Sequence, residues 1–264
     1  MRLLALTRAV SPRLAECELT HIARQPIDLG RAQAQHRAYE GVLRALGCDV
    51  RPLPAAPEQA DGVFVEDTAV VVDELAVITR PGAVSRRAEV DSVAHAVSAF
   101  RPLQYIGTPG TLDGGDVLVV GRDVFVGLST RTNAEGVAQL ARLLEPFGYF
   151  VRPLAVSSCL HLKSAATVVA PGTVLLNPEW VDARALRTFQ RIDVDPAEPA
   201  AANALNVAGK VAYAAAFPRT RERLERTGLD VRAVDMSELA KAEGAVTCCS
   251  LVFAADVAAD ATNG

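Results

Sequence analysis

Apolar residues recur at helical spacing in two stretches that share the same ending. Tyr39, Val42, Leu43 and Leu46 lead to Gly47-Cys48-Asp49-Val50-Arg51-Pro52-Leu53, and Val137, Leu140, Leu144 and Phe147 lead to Gly148-Tyr149-Phe150-Val151-Arg152-Pro153-Leu154. Each reads as an amphipathic helix stopped by a glycine and followed by a strand. A weaker third copy runs from Arg219 to Thr227 and on through Gly228-Leu229-Asp230-Val231-Arg232. Two further helical patterns, Val90, Val93, Val97, Phe100 and Val181, Ala185, Phe189, Ile192, lead into short apolar stretches, which makes five helix-then-strand units.

Between these units lie pairs of apolar runs with tight polar or glycine-containing turns. Ala69 to Val72 faces Leu75 to Thr79, Val117 to Val120 faces Val124 to Leu128, and Thr167 to Ala170 faces Thr173 to Asn177. A fourth pair surrounds Ala208-Gly209-Lys210, and a fifth begins at Val246 and runs through Leu251-Val252-Phe253. Their β-branched content and short turns predict antiparallel hairpins, spaced as in a repeat protein. A unit of hairpin, helix and strand cannot bury its own apolar face, so five of them closing in a ring would share a core. The predicted class is therefore α/β, a fivefold pseudosymmetric α/β propeller of ββαβ-type units around a central site. Residues 1–264 would form one domain, with the tail from Ala255 to Gly264 frayed. A generic α+β domain is the alternative.

Half of the 264 residues are apolar, enough for a sizeable core, and acidic residues outnumber basic ones 31 to 27. That balance argues against nucleic acid or an anionic membrane as a partner. The longest apolar run, Val211 to Phe217, is far too short to span a bilayer, and Leu3-Leu4-Ala5-Leu6 is cut off by Thr7 and Arg8, so no transmembrane or secretory segment is expected. Five cysteines without CxxC spacing point to a reducing compartment and a cytoplasmic location.

The starts of the five hairpins carry the chemistry. They are Glu66-Asp67, Asp113-Gly114-Gly115-Asp116, His161-Leu162-Lys163, Asn203 and Thr247-Cys248-Cys249. In a closed ring these positions would converge near the axis. A cysteine nucleophile, a histidine able to protonate a leaving group and several carboxylates suit a cationic, planar ligand such as a guanidinium, whose central carbon is electrophilic.

Together with Phe64-Val65-Glu66-Asp67, Thr79-Arg80-Pro81-Gly82, Ser85-Arg86-Arg87, Leu112-Asp113-Gly114-Gly115-Asp116-Val117, Gly127-Leu128-Ser129, Arg131-Thr132-Asn133, His161-Leu162-Lys163-Ser164 and Thr247-Cys248-Cys249-Ser250, the chain resembles the dimethylarginine dimethylaminohydrolases (dimethylargininases) of the guanidino-group-modifying superfamily, in order from about Arg8 to Phe253. The resemblance implies the pentein form of the propeller and hydrolysis of Nω-methylated and Nω,Nω-dimethylated arginine to citrulline plus methylamine or dimethylamine. It places Cys248 at the nucleophile and His161 at the general acid/base. Asp67 and Asp113 fall at acidic positions that hold or orient the guanidinium, with Glu66 close by. It also places Arg86 and Arg131 at the substrate α-carboxylate, Asp61 near the α-amino end, and Leu19 and Ala242 at a lid and a backbone contact. The substrate would be a small molecule, with no cofactor and no metal; monomer and homodimer both stay open.

Each residue has a plainer reading. Cys248 could be a buried thiol or, with Cys249, half of a vicinal disulfide or a soft-metal pair. His161 could be a core histidine, and Asp113 and Asp116 could frame a turn around two glycines. Arg131 could be a surface residue before a Thr132-x-x-Glu135 capping pattern. His21, His36 and His95 are expected at the surface. Arginine and agmatine deiminases carry an acid two positions after the histidine, where this chain has Lys163, which favours methylarginines over arginine. An amidinotransferase, a ribosome-subunit binding factor and a redox-sensing thiol protein are the rival functions.

Overall fold

The computed structural model describes residues 2–255. Most of the segment expected to fray lies outside the described residues; Ala255 itself ends a strand. In chain order the elements are β1 (Arg2–Thr7), α1 (Leu29–Ala45) and β2 (Cys48–Pro52); β3 (Ala69–Val71), β4 (Ala76–Ile78), α2 (Val90–Ser98) and β5 (Leu103–Tyr105); β6 (Val117–Val120), β7 (Asp123–Leu128), α3 (Ala134–Leu144) and β8 (Phe150–Ala155). Then come α4 (Leu162–Ala165), β9 (Ala166–Ala170), β10 (Thr173–Leu176) and β11 (Gln190–Asp193); β12 (Ala204–Val207), β13 (Lys210–Ala214), α5 (Pro218–Arg226) and β14 (Asp230–Val234); and α6 (Ser237–Ala240) and β15 (Leu251–Ala255).

The strands form five three-stranded sheets, β15-β1-β2, β3-β4-β5, β6-β7-β8, β9-β10-β11 and β12-β13-β14. In every sheet the first two strands pair antiparallel and the third lies parallel to the second. A helical crossover joins second to third strand in four of the units, as a parallel connection requires. The result is the α/β propeller of ββαβ units that the sequence predicts.

Five apolar clusters fill the ring, each between neighbouring sheets. One joins Ala5, Cys48, Tyr39 and Leu43 of the first unit to Val207, Ala212 and Val234 of the fifth. The next joins Leu4, Leu6 and Phe253 to Ala76, Ile78 and Val93, and the remaining three continue round to close on Tyr213 and Leu224. No sheet buries its apolar face alone.

The glycines of the repeated helix-then-strand pattern do the work assigned to them. Gly47, Gly148 and Gly228 have φ of 103°, 77° and 87°, the left-handed conformation that ends a helix without the steric penalty of a Cβ. Helix α3 is capped by Asn133, whose side chain accepts from the Gly136 N–H, rather than by Thr132. The Thr132 hydroxyl instead accepts from the Asp113 N–H at 3.1 Å, tying the helix start to the site.

Two features depart from the expected pattern. The helix expected over Val181 to Ile192 is only a 3-10 turn at Ala183–Leu186, because Val181 is drawn into an antiparallel bridge with Val156 and Asp182 caps the Arg184 N–H. The fifth hairpin does not begin at Val246: residues 246–249 form a turn, and β15 finds its antiparallel partner in β1, with Leu6 opposite Leu251 and Arg2 opposite Ala255. The first and last strands thereby close the ring.

Candidate active site

Short helical turns launch three of the hairpins, at Val65–Thr68, Gly114–Asp116 and Leu162–Ala165. Such turns aim side chains and free backbone N–H groups out of the end of a sheet. The five hairpin starts form one hydrogen-bonded network. The Glu66 N–H donates to the Cys248 carbonyl (3.1 Å), Gly115 N–H to Asp67 Oδ1 (2.9 Å) and Leu162 N–H to Asp116 Oδ1 (3.0 Å). Asn203 donates to the Lys163 carbonyl (3.0 Å) and to Thr247 Oγ1 (2.9 Å), while Thr247 Oγ1 donates to Glu66 Oε2 (2.6 Å).

Asp61, Asp67, Arg86, Arg131, His161, Ala242 and Cys248 line one cleft, with Glu18, Phe64, Leu160 and Glu243 completing it. Cys248 is half-buried there, whereas its neighbour Cys249 is fully buried in the core; all five cysteines are free thiols. The other expected residues stand behind the wall. Leu19 packs against the core beside the cleft, while Glu18 lines it and Glu18 N–H donates to Asp61 Oδ2. Asp113 is fully buried and does not face the cleft: its Oδ2 lies 3.1 Å from His161 Nε2 and its Oδ1 accepts from Gly82 N–H. It orients the imidazole rather than meeting a guanidinium. Glu66 also stands outside the cleft, its Oε1 2.7 Å from Lys163 Nζ, and both line a second cavity.

Gly115 explains the double glycine better than a turn does. A Cβ there would come within 2.7 Å of both His161 Nδ1 and Asp67 Oδ1. Only a bare backbone lets the imidazole and the carboxylate approach. His36, expected at the surface, is buried in α1 beside Tyr39, with Nδ1 4.0 Å from Glu40. His21 and His95 are exposed.

Opposed charges set the protonation states. Burial disfavours a charged His161, but Asp67, with Oδ1 3.7 Å from Nδ1, and the hydrogen bond that His161 Nε2–H donates to Asp113 outweigh it and raise its pKa to about 9. Burial likewise works against an ionised Asp67, yet the His161 and Arg86 charges hold it well below the usual carboxylate range. Burial, with the negative charges of Glu66 and Asp67, pushes the Cys248 thiol up to about 12. Burial also lifts Asp116 to about 6, against the pull of His161 and Ser129. Donor atoms of Asp67, Asp113 and His161 lie within 4.8 Å of one another, the spacing of a metal triad. Here the imidazole is spent on Asp113 and Asp67 is paired with Arg86.

The two arginines differ. Arg86 Nη1 lies 2.6 Å from Asp67 Oδ2 and its Nη2 2.8 Å from Glu89 Oε2, all three side chains being buried. Arg131 has a hydroxyl partner, Thr20 Oγ1 at 3.1 Å from Nη2, and among the described residues no carboxylate pairs with it. Sequence reading missed Glu89, which is visible in hindsight as an acid three positions after Arg86 on a helical turn. It also missed Glu243, whose carboxylate accepts from the Thr20 and His21 N–H groups, and nothing in the sequence marks that residue.

Comparison with known proteins bears on the family and the fold. The family model described as arginine deiminase matches residues 63–216. The N(G),N(G)-dimethylarginine dimethylaminohydrolase of Streptomyces coelicolor is 43% identical over 94% of this chain and 95% of its own, and that of Pseudomonas aeruginosa 37% identical over 86% and 90%. The structure of a cysteine-to-serine variant of the Pseudomonas aeruginosa enzyme complexed with citrulline superposes with a TM-score of 0.91 at 34% identity, covering 96% of this chain and all of that one. An adduct of a histidine-to-glycine dimethylarginine dimethylaminohydrolase with S-methyl-L-thiocitrulline gives 0.90, again at 34% identity, over 96% of this chain and 100% of that one. The N-terminal domain of ArgZ, an arginine dihydrolase, shares the fold at 20% identity and a TM-score of 0.81, over 95% and 97% of the two chains. Among the described residues no helix is long and apolar enough to cross a membrane. By sequence and by fold, this chain belongs to the dimethylarginine dimethylaminohydrolase family, within the group that the arginine deiminase model describes.

Proposed function

We propose that the protein hydrolyses Nω-methylated arginines to citrulline and a methylamine, through a covalent intermediate on Cys248. The observation that carries this reading is that Cys248, His161, Asp67, Asp61 and Arg131 all line one cleft. The guanidinium lies against Asp67, and the α-carboxylate and α-amino groups meet Arg131 and Asp61.

In the empty site Cys248 is a thiol and His161 an imidazolium at neutral pH. A guanidinium beside Asp67 offsets the negative charge that holds the thiol proton, so as substrate binds the thiol gives its proton to solvent and the thiolate forms. Its sulfur attacks the central guanidinium carbon. His161, fixed at Nε2 by Asp113, then protonates the departing dimethylamine through Nδ1, and the C–N bond breaks to leave an S-linked thiouronium. The neutral imidazole takes a proton from water, the hydroxide adds to the same carbon, and loss of the thiolate releases citrulline. Because the leaving amine needs the imidazolium, kcat/KM should be lost as pH rises through about 9, where His161 of the ligand-free protein gives up its proton.

Lys163 bears on substrate choice. In sequence it takes the position where deiminases carry an acid for the unsubstituted guanidinium nitrogens; here its ammonium pairs with Glu66 on the wall of the second cavity, so this position adds no second carboxylate to Asp67 in the cleft. Arginine deimination is the second reading, favoured by the family model over residues 63–216. Denaturing mass spectrometry during turnover of asymmetric dimethylarginine tests the mechanism: the adduct is expected on Cys248, and an active enzyme with the adduct on Cys249, or with none, would contradict it.

A further inference from the structure

Glu89 has no part in the reaction above, yet it is 1% exposed at the end of the 3-10 turn Val84–Glu89. A buried carboxylate persists only where charge and hydrogen bonds compensate it. Its oxygens lie 3.2 and 3.3 Å from Arg86 Nε, and Oε2 lies 2.8 Å from Nη2. Arg86 gives its other Nη2 proton to the Phe64 carbonyl at 2.9 Å and an Nη1 proton to Asp67 Oδ2 at 2.6 Å. The Nε–Nη2 edge of a guanidinium is the one that grips a carboxylate through two parallel bonds. Glu89 occupies that edge, so Asp67 receives a single bond to one oxygen. Its other oxygen, Oδ1, stays with the Gly115 N–H and the imidazole.

We propose that Glu89 is a positioning residue for the proposed hydrolysis: it fixes the rotation of the Arg86 guanidinium so that Asp67 is held by one oxygen, and it returns to the site the negative charge that Arg86 would otherwise cancel. The inference rests on the hydrolase reading for its kinetic part only.

Charge counting gives the reason. An isolated Asp67–Arg86 pair is neutral and attracts a cationic substrate weakly. The groups that face Glu89 are Arg86, Arg8, Asp61 and Asp67. Arg8 is itself 1% exposed and donates to Gln59, to the Gly62 carbonyl and to Ser92, none of them an acid. Three carboxylates against two guanidinium groups leave one surplus negative charge beneath the cleft. Removing Glu89 neutralises the layer and frees the Nε–Nη2 edge of Arg86 to take both oxygens of Asp67. The imidazolium, faced by Asp67, Asp113 and Asp116, then loses part of the field that keeps it protonated.

The test is Glu89→Gln, which keeps the size and one acceptor oxygen and removes the charge. In the ligand-free protein the NMR titration of His161 should move down by roughly one pH unit. The basic limb of the kcat/KM profile should follow, with kcat/KM for asymmetric dimethylarginine lowered roughly tenfold to a hundredfold. Glu89→Asp keeps the charge and shortens the reach, so it should leave the His161 titration unchanged and lower kcat. A natively folded Glu89→Gln with wild-type titration and wild-type kcat/KM overturns the proposal. If that variant does not fold, a folded Glu89→Asp with wild-type kcat overturns it. The titration needs no substrate, so failure of the hydrolase reading shows separately, as wild-type protein that titrates as described but releases no citrulline.

Discussion

Arg86 and Arg131 both line the cleft, and the sequence resemblance implies the substrate carboxylate for both, but the protein treats them differently. Arg86 is locked between Asp67, Glu89 and the Phe64 carbonyl, with four of its five N–H donors engaged. Arg131 meets a threonine hydroxyl and no acid among the described residues. One guanidinium is part of the wall and sets the charge of the reacting end. In the proposed reaction the other offers its remaining donors to the ligand. On the proposed reading, the guanidinium end of the cleft is built from paired charges with one carboxylate in excess, and the part that takes the amino-acid portion of the substrate keeps an arginine that no acid pairs with among the described residues.

Breaking this contrast should give unlike results at the two arginines. Arg86→Met leaves Asp67 and Glu89 buried without their cation and should cost about 3–5 kcal/mol of stability, measured by chemical denaturation, with activity lost as well. Arg131→Met should leave the denaturation midpoint nearly unchanged and lower kcat/KM by about 2–3 kcal/mol, chiefly through KM, because it removes charged hydrogen bonds to the ligand. Equal stability losses in the two variants would erase the distinction. Gly115→Ala sharpens the geometry of the guanidinium end: its Cβ must displace the imidazole or the Asp67 carboxylate, so kcat should fall roughly tenfold to a hundredfold with KM little changed. Cys249→Ser should have the smallest effect, a loss of about 1 kcal/mol in stability from placing a hydroxyl in the core, with most activity retained.

The repeat was legible because each unit carries its own punctuation. Gly47, Gly148 and Gly228 stand where left-handed helix ends are needed, and the β-branched pairs flank short turns. What could not be read locally was the fifth hairpin, since β15 and β1 meet only when the ring closes and neither strand carries a sign of the other. The shortened helix of the fourth unit was hidden for a similar reason: the Val156–Val181 bridge is a tertiary event that overrides a good helical pattern. In the site, residues that line the cleft could be found from the starts of the hairpins and from the family motifs. Which face each acid presents could not. Asp113 turns to the imidazole and Glu66 to Lys163 because of neighbours more than forty positions away.

Lys163→Asp bears on specificity with a sign that the structure makes richer than the sequence alone does. It removes the ammonium that neutralises Glu66 and adds an acid beside it, so the ratio of arginine to dimethylarginine turnover should rise while Cys248 becomes harder to ionise.

The most direct test of the whole account is citrulline release from asymmetric dimethylarginine, arginine and agmatine, assayed side by side on the unaltered protein. The account predicts release from dimethylarginine well above that from arginine, and none from agmatine, which lacks the carboxylate for Arg131. Turnover of arginine or agmatine alone, with dimethylarginine left intact, would contradict it.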